Sequence, residues 1–281
     1  MKLPRLHLVW VPLLVPGLLA AAAPVSLFDG HDLAGWRVWL GRRPADLAVA
    51  GLARDASGRY ADAIGYDRDA YGVFSVVSVD GQPAIRISGR IGGGLVSDRS
   101  FANYRLRLRY RWGRAPAKGR SNSGIAYDVT GEPTLAQPWA SAHEFQVRGG
   151  ETGDYWCQGD ALAEIHARRI DGGDFIYDPT AALVTFSSQS GGPRHCAKAF
   201  AAESPAGQWT TLELVCFGDQ SAQLVNGRVV LRIRRSRRRT PTGLVPLDSG
   251  RIMLQSEGGE IFLREIELIP LDTLPRELAD D

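Results

Sequence analysis

The sequence predicts an all-β protein: one antiparallel β-sandwich with long loops. Three observations carry that expectation. Residues 103–112 alternate strictly, with Tyr104, Leu106, Leu108, Tyr110 and Trp112 on one face and Arg105, Arg107, Arg109 and Arg111 on the other. That is the period of a strand with one face in the core and the other in water, and a solvated outer face accounts for the four arginines. Short apolar runs recur along the chain between Gly, Pro, Asn and Asp clusters, as they do in sandwiches. No stretch keeps a helical period beyond a turn or two.

The first element is a leader. Lys2 and Arg5 precede the apolar residues 6–19, which run into Ala20, Ala21, Ala22 and Ala23. A basic start, a short apolar stretch and a small-residue cleavage site read as a secretory signal peptide over 1–22. The apolar stretch is too short, and too broken by Pro12 and Pro16, for a comfortable membrane span. The chain that remains, 24–281, is read as a single domain without a transmembrane span, exported to the periplasm or cell surface. Its loss of two basic residues lowers Lys+Arg from 33 to 31, equal to the 31 Asp+Glu. A chain so near neutrality lacks the electrostatic footprint of a nucleic-acid binder.

Strands are expected at 73–79, 84–88, 94–96, 123–129, 142–148, 164–170, 183–187, 209–217, 221–225, 228–233, 252–255 and 261–269. Asn226-Gly227 marks the tip of a two-residue hairpin. Residues 42–71, 149–159 and 171–180 read as loops, where recognition tends to sit. The arginines Arg232, Arg234, Arg235, Arg237, Arg238 and Arg239 read as a solvated hairpin and loop, or as a contact to anionic envelope polymers or lipid.

Three cysteines would be exported. Cys216 shares a face with Leu212 and Leu214 and reads as a buried thiol, which leaves Cys157–Cys196 as the candidate disulfide. No CxxC or Cys/His ligand spacing is present, so a structural zinc site is not expected.

The segment HEFQVR, residues 143–148, alternates in an unusual way. His143, Phe145 and Val147 fall on one face; Glu144, Gln146 and Arg148 fall on the other. The polar face is either solvated or the lining of a sugar-binding groove. His143 points away from Glu144 and reads as a core histidine; His166 and His195 have no partner that the sequence identifies.

Several segments, in order, resemble one family. SLFDGHDLAGWRVW is similar to its LFNGKDLxGW opening, and NYRLRLRYRW followed by SNSGI to its FELRLEYR…GNSGI pair. HEFQV stands where the family has (Y/E)EVQI, and PAGQWTTLELVCFGDQSAQLVNGRVV resembles PAGEWNTYEI…VWLNGxxV. SGRIMLQSEGGEIFLREIELIPL resembles GxIxLQxHGxxVxFRNIxIxxL. The chain thus resembles the 3-keto-disaccharide hydrolase family over nearly all of its exported part.

The resemblance implies a concanavalin A-like jelly roll and an enzyme acting on glycosides already oxidised at C3. A base removes the acidified C2 hydrogen and the glycosidic oxygen leaves from C1. Glu144 is then the expected base or acid, Gln146 and Arg148 the donors to the carbonyl oxygen, and Glu257 a second carboxylate. Asn122, Asp128 and Gln255 are expected to contact sugar hydroxyls, with Asp154 on the loop beside them. Trp139 and Trp156 are either stacking platforms or core residues. Asp128 stands where the family often has Arg, and Glu257 where it frequently has His. Arg264 matches an arginine expected to be structural, against a carboxylate. No cofactor is required, although Asp154, Glu144 and Glu257 could together hold Ca²⁺ or another divalent metal. Two other readings are a non-catalytic glycan-binding protein and an envelope scaffold. N-terminal sequencing of the exported protein is expected to begin at Ala23; an intact Met1 on the exported chain would refute the leader.

Overall fold

The computed structural model describes residues 23–41, 52–54, 56, 60, 62–116, 119–189 and 191–279. The expected leader and much of the 42–71 segment lie outside them. Among the described residues the regular structure is strand. The first ten strands are β1 (Val25–Ser26), β2 (Trp36–Leu40), β3 (Gly65–Tyr66), β4 (Phe74–Val79), β5 (Gln82–Ile87), β6 (Gly93–Ser97), β7 (Tyr104–Trp112), β8 (Asn122–Thr130), β9 (Ser141–Arg148) and β10 (Tyr155–Gln158). Then follow β11 (Ala161–Arg169), β12 (Phe175–Tyr177), β13 (Leu183–Ser187), β14 (His195–Cys196) and β15 (Thr210–Phe217). The last are β16 (Gln220–Val225), β17 (Arg228–Thr240), β18 (Gly243–Pro246), β19 (Arg251–Ser256) and β20 (Ile261–Pro270).

They form two antiparallel sheets. One runs β14-β10-β9-β8-β19-β6-β2-β3; the other runs β12-β11-β17-β16-β15-β7-β20-β5-β4, with β1, β13 and β18 added at β20, β11 and β17. The inward faces meet in one core that includes Leu106, Leu108 and Tyr110 of β7, Leu212 and Leu214 of β15, Ile125 and Tyr127 of β8, and Phe145 and Val147 of β9. Strand period explains the arrangement: in β7 each apolar residue turns inward and each arginine outward. The outward arginines are not merely solvated. Arg105 pairs with Glu213 and Glu277, Arg109 with Glu265 and Arg111 with Asp80. Asn226 and Gly227 take φ of 49° and 75°, as a two-residue hairpin requires.

Three sequence expectations change. The segments 149–159 and 171–180 are not wholly loop, because β10 and β12 lie inside them. Their pairing with β9 and β11 supplies what three or four residues lack as local signal. The arginine run is strand rather than loop, since β17 continues to Thr240 between β11 and β18, and Glu164 pairs with both Arg235 and Arg237. The Cys157–Cys196 bridge is absent: all three cysteines are free and buried. Tyr155, not Cys157, stands opposite Cys196, so the two thiols are diagonal neighbours rather than a directly facing pair.

A buried polar chain ties the sheets together. His143 Nδ1 lies 2.9 Å from the Tyr155 hydroxyl, and His143 Nε2 lies 2.6 Å from Ser236 Oγ. Ser236 Oγ donates to the Leu247 carbonyl, so it must accept from His143, which fixes the Nε2–H tautomer. Burial lowers the His143 pKa to about 3; it is the expected core histidine.

Asp128 is also internal. The β8–β9 register shifts between Tyr127 and Thr130, and Asp128 takes φ of 51°, a bulge that re-aims its side chain. Its carboxyl is buried with Oδ1 unpartnered and is felt by Tyr104, Tyr127 and Cys216. The expected contact with a sugar is therefore withdrawn. Burial, then Asp248, raises its pKa to about 8. The folded state thus holds this proton more tightly than the unfolded chain, and stability falls as pH climbs from about 4 to about 8. Asp128→Asn is expected to raise the melting temperature at pH 8 and to change it little at pH 4, as thermal unfolding at the two values will show; equal shifts at both would refute the assignment.

Among the described residues no helix is long and apolar enough to cross a membrane.

Candidate active site

The outer face of the eight-stranded sheet carries the candidate site, and strand register assembles it. Arg148 stands opposite Asn122, Gln146 opposite Gly124 and Glu144 opposite Ala126. On the next strand Met253 pairs with Ala126, so Gln255 continues the same face beside Gly124. On the other side of β9, Trp156 stands opposite Glu144 and His195 opposite Trp156. The small residues of β8 are a requirement rather than filler. A Cβ on Gly124 would fall 2.5 Å from Gln255 Oε1 and 3.0 Å from Glu144 Oε1.

Glu144 is at the centre, 3% exposed. Gln158 Nε2 donates to its Oε2 at 2.6 Å. With the Gln146 amide oriented to suit its neighbours, its nitrogen donates to Glu144 Oε1 at 2.9 Å and to the Ser123 carbonyl at 3.2 Å. Both amide hydrogens of Gln146 are thereby committed, so it holds the carboxylate instead of serving a substrate oxygen. Burial pushes the Glu144 pKa up to about 7, and the like charge of Glu257 adds to this. Hydrogen bonding by Gln158 and the charge of Arg194 oppose the rise. Glu257 is exposed along its side chain, yet the protein around its carboxyl raises its pKa too, against the pull of Arg148.

The same face holds buried polar atoms without a partner: Asn122 Oδ1, Arg148 Nε, Trp156 Nε1 and both amide atoms of Gln255. Buried polar atoms are nearly always satisfied, so this cluster suits a hydroxylated ligand or its waters. Arg148 also donates from Nη1 to Glu151 at 3.0 Å.

Other expected residues have different work. Asp154 accepts from Lys198 Nζ at 3.1 Å and lies 3.0 Å from His195 Nε2. It is a buried counter-charge for Lys198, which also donates to the Gly150 carbonyl. The three-carboxylate set of Asp154, Glu144 and Glu257 is therefore not assembled, and among the described residues no group of three His, Cys, Asp or Glu side chains is clustered to hold a metal ion. The Trp156 ring is packed by His195 at 4.5 Å and Arg194 at 5.1 Å. Trp139 packs on an apolar cluster of Trp39, Val96, Ala126 and Met253 and walls that end of the sheet face. Arg264 lies away from the site, over the Trp209 ring at 3.9 Å and beside Glu265.

Sequence reasoning missed Gln158, Arg194, His195 and Lys198. Asp154, Trp156 and Gln158 alternate, which could have shown a short strand. The two-residue β14 has no local signal; only its pairing with β10 brings Arg194 and His195 to the site.

A comparison with curated proteins gives no match. Among solved structures the chain is similar to a candidate glycosyl hydrolase from Parabacteroides distasonis, at 14% identity and a TM-score of 0.50, with 89% of this chain and 94% of that chain covered. A second candidate glycosyl hydrolase from that organism aligns at 15% identity and a TM-score of 0.43, covering 70% of this chain and 90% of that one. A carbohydrate-binding module from Bacillus subtilis aligns at 10% identity and 0.37, covering 70% and 91%. At such identities the likeness is one of fold, the antiparallel jelly-roll sandwich. Residues 23–269 match the family described as the 3-keto-alpha-glucoside-1,2-lyase-like domain, and the chain belongs to that family.

Proposed function

We propose that the protein cleaves the glycosidic bond of sugars oxidised at C3, with Glu144 as the base. The observation that carries this reading is a buried carboxyl, oriented by Gln158 and Gln146, beside polar atoms that have no protein partner; burial raises its pKa to about 7. A C3 ketone acidifies the C2 hydrogen, and a carboxylate whose pKa is raised by burial is a stronger base toward it than an ordinary one. The electron pair left on C2 moves into the ring carbonyl as an enolate, with negative charge on the C3 oxygen. Gln255 Nε2 and Arg148 Nε are the donors free to meet that charge. When the carbonyl re-forms, the C2 pair makes a C1–C2 double bond and the glycosidic oxygen departs from C1. The departing oxygen takes a proton, for which Glu257, with its raised pKa, is our assignment. Water added across C1–C2 completes a hydrolysis; release before that step makes the enzyme a lyase. The leader expected over 1–22 would deliver the activity to the periplasm or cell surface.

The family membership supports a saccharide as ligand. It does not by itself demand catalysis, so the test separates release from binding. Purified protein is incubated with 3-keto-trehalose and a 3-keto aryl glucoside, following leaving-group release and exchange of the C2 hydrogen in D₂O. Both are expected, and Glu144→Gln should reduce them by about 10²–10⁴-fold, the usual contribution of a general base. Because the base acts as its carboxylate, the wild-type rate should climb as pH rises through about 7. Full activity in Glu144→Gln would remove Glu144 as the base, and binding without release would make this a glycan-binding protein.

A further inference from the structure

We infer that Gln158, pinned by Arg194, is the positioning residue that orients the Glu144 carboxylate, an inference that rests on Glu144 being the base. Gln158 sits on β10 opposite Ala142, one diagonal step from Glu144 and on the same face. Its Nε2 donates to Glu144 Oε2 at 2.6 Å, and its Oε1 accepts from Arg194 Nη2 at 3.1 Å. Arginine offers donors only, so the amide cannot turn over without setting donor against donor. The nitrogen is therefore always toward Glu144. Arg194 is itself placed over the Trp156 ring, and its carbonyl accepts from the Cys157 amide at 2.8 Å, which anchors the edge of the sheet next to Gln158.

The groups facing Glu144 make this link decisive. From its own strand come Gln146, whose amide bonds Oε1, and Arg148, which is engaged by Glu151. β8 contributes Gly124 and Ala126, with no charge. The β19 end contributes the neutral Gln255 and the like charge of Glu257. β14 contributes, beyond Trp156, His195, and Arg194 precedes that strand, its carbonyl bonded by the Cys157 amide. Arg194 thus supplies the opposing positive charge on Glu144, and Gln158 is the atom-to-atom connection to it. Arg194 is exposed, so solvent weakens its charge at a distance and the hydrogen-bonded route matters more.

The experiment compares wild type, Gln158→Leu, Arg194→Ala and Arg194→Lys in pH profiles of kcat/KM on a 3-keto aryl glucoside. A donor to a carboxylate favours its charged form, worth about one pKa unit. Gln158→Leu should therefore move the acid limb up by about one unit, cutting the rate at pH 7 by about five-fold while leaving the plateau above pH 9 nearly intact. Arg194→Ala should shift it the same way by less, and Arg194→Lys should restore part of the loss. A purely structural role would instead lower the plateau and leave the limb in place, which overturns the inference. A second readout does not depend on turnover: ¹³C NMR titration of glutamate δ-carbons, with the Glu144 signal identified by its loss in Glu144→Gln. An upward shift there in Gln158→Leu supports the link even if no 3-keto sugar is cleaved; an unchanged titration refutes it while leaving the proposed reaction standing.

Discussion

Strand β9 is buried on both sides, and the arrangement of the site follows from that. A strand at the edge of water can place a glutamate outward at no cost, but Glu144 and Gln146 are withdrawn from solvent on the face opposite the core. Each polar atom there must find a partner within the protein or from a ligand. The protein supplies some partners: Gln146 closes onto Glu144 and Ser123, and Gln158 reaches across from the next strand. It leaves others open, at Asn122, Gln255, Arg148 and Trp156. The atoms left open are the ones the proposed substrate would have to satisfy.

The energetics are a balance between desolvation and donors. A rise of the Glu144 pKa from 4.5 to about 7 corresponds to about 3 kcal/mol against ionisation. A hydrogen bond to a charged group is worth about 1.5–3 kcal/mol, so two such donors offset much of what burial would otherwise impose. Asp128 shows the alternative. It is equally buried and, like Glu144, has an acid nearby, but one of its oxygens has no partner, and its pKa goes higher still. The two carboxyls differ in their partners rather than in depth: donors inside the protein meet the Glu144 oxygens, whereas one oxygen of Asp128 has none.

The alternation of residues 143–148 told which side chains share a face, and the alternation of residues 104–112 told which face of that strand enters the core. Both readings rest on the strand period, which is local. What was not legible depended on register. One extra residue at Asp128 turned a groove residue into an interior one. A two-residue offset between Cys157 and Cys196 separated a pair that spacing alone made plausible. Arg194 and His195 reach the site only because β14 pairs with β10, and a two-residue strand carries no pattern to announce it.

Register also explains why the sheet face is divided. Toward β2 and β3 the outward positions are Trp39, Tyr66, Val96 and Met253, closed over by Trp139; toward β10 and β14 they are Glu144, Gln158, Trp156 and His195. The apolar half needs no ligand, because its surfaces cover one another. The polar half cannot cover itself, since each donor added to satisfy one atom brings another that must be satisfied in turn. Arg194 ends that sequence on the exposed edge, where water can take up its remaining donors. A charge at the rim, an amide inside it and a carboxyl at the centre form a hydrogen-bonded path by which solvent-side charge can act on the buried Glu144.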